Sequence, residues 1–134
     1  MRIAGKVVVV AVLVALWWGS PLAEAQAPLR IGASLSQTGS FAALGQDQLR
    51  GYQLCVKHAN EKGGVLGRRI ELLAEDDQSN AATAVAIYER LITRDKVDAI
   101  LGPYSSPITE AVADVTEKHK MPMVASMAPS WVRM

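Results

Sequence analysis

The sequence predicts an α/β fold, an open parallel sheet with helices packed on both faces. Two observations carry the prediction. From Leu29 onward, short apolar runs alternate with segments of helical periodicity. The segment from Ala84 to Ile92 matches an amphipathic helix closely, with Ala84, Ile87, Tyr88, Leu91 and Ile92 at i, i+3, i+4, i+7 and i+8. Three strand–helix units and one bare strand result, and right-handed crossovers between them leave the sheet with an unprotected edge.

The first strand is Leu29–Leu35, and the turn formers Ser36-Gln37-Thr38-Gly39-Ser40 follow it. The next segment places Leu49, Tyr52, Val56 and Ala59 at helical spacing and stops at Gly63-Gly64. Arg69–Ala74 is the second strand and runs into Glu75-Asp76-Asp77. Ser79 or Asn80 caps the second helix. Val97–Leu101, closed by Gly102-Pro103, is the third strand. The third helix carries Ile108, Ala111, Val112 and Val115 on one face, and Met121–Ala125 forms the fourth strand before a Ser/Pro loop. The chain stops there in mid-fold, the expectation for a piece of something longer.

Residues 1–25 are expected to be a secretory signal rather than part of the fold. Arg2 and Lys6 precede an apolar run from Val7 to Trp18, and Ala23-Glu24-Ala25 supplies small residues at signal-peptidase spacing. The run is too short to span a bilayer comfortably, so the mature chain should start near Gln26 and not be embedded in a membrane. Removing it takes two of the 14 basic and one of the 13 acidic side chains, which leaves 12 of each and no net charge. A neutral chain without a basic patch interleaved with aromatics gives no support for nucleic-acid binding. The 109 residues left can form one modest core. Cys55, the single cysteine, cannot form an internal disulfide and reads as a small core residue on a helix.

In an open parallel sheet, ligands settle at the carboxyl ends of the strands. The loops there are 36–44, 75–80, 102–106 and 126–130, and three of the four are rich in hydroxyls with no base or metal ligand. That composition suits holding a small polar molecule. In Gly102-Pro103-Tyr104-Ser105-Ser106-Pro107, Ser106 reads as an N-cap and Pro107 as the first helical residue. Free N–H groups, the positive end of the helix dipole and two hydroxyls could hold a carboxylate there; the same pattern also serves a plain cap. Tyr104 either stacks on a ligand or packs in the turn.

An enzyme reading would make Ser105 or Ser106 a nucleophile. The G-x-S-x-G elbow is absent, however, and His119 falls near the far end of the following helix. Asp76-Asp77 reads as a solvated turn with Asp capping, since a phosphoacceptor pair would follow the first strand. His58 and His119 have no metal-type spacing and read as surface residues. No cofactor or metal is expected.

Several segments, taken in order, resemble the leucine/isoleucine/valine-binding protein family: Ile31-Gly32 through Thr38-Gly39, Gly63-Gly64-Val65-Leu66-Gly67-Arg68-Arg69-Ile70-Glu71-Leu72, Asp76-Asp77-Gln78, Gly102-Pro103-Tyr104-Ser105-Ser106 and Pro122-Met123-Val124. The resemblance covers residues 29–130. It implies the type I periplasmic binding fold, in which two lobes close on a ligand, with residues 26–134 as most of the first lobe. It implies a periplasmic binding component of an ABC importer, with permease subunits as partners and a branched-chain or other amino acid as ligand. The ligand carboxylate would be held by Ser106 with Ser105 adjacent, and by Met127, Ala128 and Ser130 after the fourth strand. An aromatic that closes over the ligand in several members falls on Leu44, with Phe41 nearby. The partner for the ligand ammonium would lie in the second lobe. The exported ligand-sensing portion of a receptor uses the same fold and is the alternative.

Overall fold

The computed structural model describes residues 26–125, so the signal segment 1–25 and the expected contacts at Met127, Ala128 and Ser130 lie outside the described residues. Four parallel strands, β1 (Leu29–Leu35), β2 (Ile70–Asp76), β3 (Ala99–Leu101) and β4 (Met123–Val124), lie in the order β2-β1-β3-β4. They alternate with α1 (Ala42–Glu61), α2 (Ala81–Thr93) and α3 (Ser106–Lys118). The expected α/β class, element order and parallel pairing are all present. Strands three and four are shorter than their apolar runs, because pairing starts only at Ala99 and reaches only Val124.

The register separates the two faces. Gly32 of β1 pairs with Leu73 and Ile100, and all three face α2 and α3. That side holds the main core, where Tyr88, Leu91, Ile100, Ile108 and Val112 are buried together. A Cβ on Gly32 would lie 3.0 Å from Leu91, so α2 sits directly on β1. The other face carries Ile31, Ala33, Leu35, Leu72 and Ala74, and Leu49 and Val56 of α1 pack over its β1–β2 half. The β3–β4 half of the same face, which ends at Val124 (67% exposed), is uncovered among the described residues.

This one-sided cover corrects the reading of Cys55. It is exposed rather than in the core, because α1 buries only Gly45 fully and turns Leu54 and Cys55 outward. Gly45 is required where it stands: a Cβ there would lie 2.1 Å from the Ser36 carbonyl oxygen, and that close approach fixes the start of α1 against the end of β1.

Candidate functional site

β1 leads left to β2 in the sheet order, and β3 and β4 lie to its right, so the topology reverses between β1 and β3. A crevice opens at the carboxyl ends of the strands at such a point. The β1–β3 ladder ends at the Ala33–Leu101 pair. Just beyond it, the Tyr88 hydroxyl fills the seam, accepting from the Ser34 N–H at 3.1 Å and donating to the Leu101 carbonyl at 2.7 Å. Burial pushes the phenol far above its ordinary range, so it stays protonated and keeps donating.

The two loops that flank the seam meet. The Phe41 and Tyr104 rings lie 5.8 Å apart at a tilt of 52°, within the range of favourable aromatic pairs. Tyr104 thus packs on Phe41, a contact that both readings offered for it allow. On the β3 side, Gln48 and Tyr52 of α1 both donate to the Gly102 carbonyl, at 3.3 and 3.2 Å. A Cβ on Gly102 would lie 2.9 Å from the Ala125 backbone, which holds the end of β4 against this turn.

The helix start falls one residue before its expected place. Ser105, not Ser106, is the N-cap of α3, and Ser106 and Pro107 are the first two helical residues. Proline suits either position because neither N–H has an intrahelical acceptor. The first intrahelical bond runs from the Thr109 N–H to the Ser105 carbonyl at 2.9 Å, backed by the Thr109 hydroxyl at 2.8 Å. The Ser105 side chain makes no capping bond, and its Oγ is buried without a hydrogen-bond partner. Buried hydroxyls are nearly always satisfied, so this one calls for a partner. The N–H groups of Ser106 and Ile108 precede that first bond and form part of the positive end of the helix dipole. Ser105, Ser106 and Tyr104 are therefore gathered at one helix start.

Asp77 overturns the reading of a solvated turn with Asp capping, whereas Asp76, half-exposed and bonded to the Gln78 N–H two residues on, keeps to it. Asp77 is fully buried and accepts from the hydroxyls of Ser34 (3.0 Å) and Ser36 (2.7 Å) and from the Ser79 N–H (2.9 Å). Asp76 accepts from the Gln37, Thr38 and Gln78 N–H groups and from the Thr38 hydroxyl at 2.7 Å. Burial raises the Asp76 pKa, but the Thr38 hydroxyl and the three N–H groups outweigh it and hold the carboxyl below its ordinary 3.8. The two carboxylates tie the β2–α2 loop to the β1–α1 loop. Ser34 and Ser36, two residues apart on one side of a strand end, were the sequence signal for a buried acceptor. Asn80, one of the two residues expected to cap α2, does so through the Thr83 N–H at 3.0 Å.

Leu44 is half exposed on the first turn of α1. His58 is exposed, as expected. His119 is half-buried at the C-terminal end of α3, the end away from Ser105, with its Nε2 2.7 Å from Glu89. Among the described residues no group of His, Cys, Asp and Glu could hold a metal ion, and no helix is long and apolar enough to cross a membrane.

Known proteins share this fold. A family described as periplasmic binding protein matches residues 28–133. The chain belongs to the periplasmic binding protein family. Among its relatives, the Leu/Ile/Val-binding protein BraC3 of Rhizobium johnstonii is 32% identical over 88% of this chain and 31% of its own length. An amino acid binding protein of Pseudomonas aeruginosa is 32% identical over 71% of this chain and 25% of its own. Among solved structures, the branched-chain amino acid transporter substrate binding protein LivJ of Streptococcus pneumoniae, in complex with isoleucine, superposes with a TM-score of 0.75. It is 32% identical over 78% of this chain and 30% of its own. The chain thus spans about a quarter to a third of the length of these relatives, and its fold is that of type I periplasmic binding proteins. These relatives are binding proteins and not enzymes, in line with the missing nucleophile elbow.

Proposed function

We propose that this chain is the first lobe of a solute-binding protein that serves an ABC importer outside the cytoplasm and holds the carboxylate of a branched-chain or other amino acid. The buried, unpartnered Ser105 hydroxyl at the start of α3 is the observation that carries the reading. A carboxylate in the crevice would accept from it, from the Ser106 hydroxyl and from the free N–H groups behind them, a set that needs no lysine or arginine. Tyr104 and Phe41 would lie beside the ligand side chain. Met127, Ala128 and Ser130 would complete the carboxylate contacts after β4, and the second lobe would supply the ammonium partner and close the cleft. The isoleucine complex of LivJ supports an amino acid as ligand, and its place in a transporter supports permease subunits as partners.

A chimera in which residues 26–134 replace the matching segment of LivJ tests the reading. Calorimetric titration with leucine, isoleucine, valine, phenylalanine and a short organic acid should show saturable binding of at least one carboxylate. Loss of all binding in a chimera that still folds would overturn it. Export follows from the same proposal: intact mass of the secreted protein should show cleavage after Ala25, and a retained or lipidated N-terminus would contradict it.

A further inference from the structure

The turn between β2 and α2 contains two consecutive residues in the left-handed region, Gln78 (φ 56°) and Ser79 (φ 59°), and neither is glycine. Such conformations persist only where neighbouring groups hold them. Here the holders are the two carboxylates, since the Gln78 N–H donates to Asp76 and the Ser79 N–H donates to Asp77, each at 2.9 Å. The turn points the Ser79 hydroxyl across to the neighbouring loop. Its Oγ accepts from the Phe41 N–H at 3.0 Å and donates to the Thr38 carbonyl at 2.8 Å. Phe41 is the residue before α1, makes no side-chain capping bond of its own, and carries the ring that meets Tyr104.

We propose that Ser79 is a positioning residue for the binding cleft: presented by a left-handed turn pinned on Asp76 and Asp77, its hydroxyl fixes the Phe41 backbone and so the Phe41–Tyr104 pair. The inference deepens the proposed function and rests on it for what the aromatic pair does. The β2–α2 loop lies on the far side of β1 from β3, so Ser79 acts on the crevice through Phe41 rather than by contact. Gly39 closes the same junction, because a Cβ there would lie 2.6 Å from the Gln78 carbonyl oxygen and 2.7 Å from the Ser79 hydroxyl.

Amide hydrogen exchange and aromatic NMR shifts on this chain test the proposal without any ligand, so failure here and failure of the ligand reading are separable. Ser79→Ala removes the hydroxyl; Ser79→Gly also removes it but relaxes the left-handed backbone and so guards against loss of fold. Gln78→Gly relaxes the same turn and keeps the hydroxyl. In both Ser79 variants the Phe41 amide should lose about tenfold in protection, and the Tyr104 ring resonances should shift. Core amides such as Ile100 should stay as protected as in the parent, and Gln78→Gly should leave Phe41 within about twofold of it. Unchanged Phe41 protection in Ser79→Gly would overturn the proposal. So would a parallel fall at Phe41 and Ile100 in Ser79→Gly, since that pattern belongs to a general stabiliser.

Discussion

Ser105 and Ser106 differ by one position and have different physical roles. A hydroxyl that caps a helix stabilises it by about 1 kcal/mol, but the Ser105 hydroxyl caps nothing and is buried without a partner. Ser105→Ala should therefore leave the melting temperature unchanged or raise it slightly. In a ligand-binding chimera it should weaken carboxylate binding by about 1.5–3 kcal/mol, roughly ten- to a hundredfold. Melts and titrations on the same variant separate the two, and a lowered melting temperature with unchanged affinity would make Ser105 only structural. The one-residue displacement was not legible because Ser-Ser-Pro fits a helix start in either register, and only backbone geometry decides between them. Asp77 escaped for a different reason. Its neighbours look like an ordinary polar turn, and its partners are Ser34 and Ser36 at the end of β1, more than 40 residues away in the chain.

The elements were legible wherever one face of each meets a partner inside this chain. The apolar stripe of α2 predicted its core face in full, whereas the pattern of α1 suggested a buried Cys55 that is in fact exposed. At the join of β1 and β3, Tyr88→Phe should keep the packed ring but leave the buried Ser34 N–H and Leu101 carbonyl without their shared partner. A cost of about 1–3 kcal/mol is expected in chemical denaturation, with loss of exchange protection at Ser34. A variant as stable as the parent would show that the strands close without the hydroxyl. At the other end, Glu89 of α2 accepts from Lys118 at 2.8 Å and meets His119 at 2.7 Å. The Lys118 and then the His119 hydrogen bonds hold its carboxyl below the ordinary 4.5. The lowered value favours the native state above pH 4.5, and that contribution fades as pH falls through the folded value. Glu89→Gln should flatten the acid limb of a stability-versus-pH curve and leave its form near neutrality alike, as melts from pH 3 to 7 would show.

At the scale of the molecule, the α2–α3 side of the sheet is a finished core, and among the described residues the opposite side is covered over only half its width. Val124 on the uncovered half, 67% exposed, and the outward Leu54 of α1 present apolar surface to water. Residues 26–134 on their own should associate with rising concentration in sedimentation velocity. Val124→Lys should shift that association to higher concentration, whereas a monomer at all concentrations in the parent would show that this face is tolerated in solvent. The sequence could not show the gap, because alternation along β3 and β4 looks the same whether or not a second layer lies above it.

β1 is the first strand among the described residues and lies inside the sheet, with β2 on one side and β3 on the other. Its edges are satisfied only from afar: the Arg30 N–H donates to Asp98, 68 residues later. Architectures that wait on such distant pairings fold slowly. A chain threaded N-terminus first through an export channel would expose β1 with neither neighbour yet through, and it could not close until Leu101 had followed. In an exported chain, slow closure would lengthen the time in which it can still be threaded.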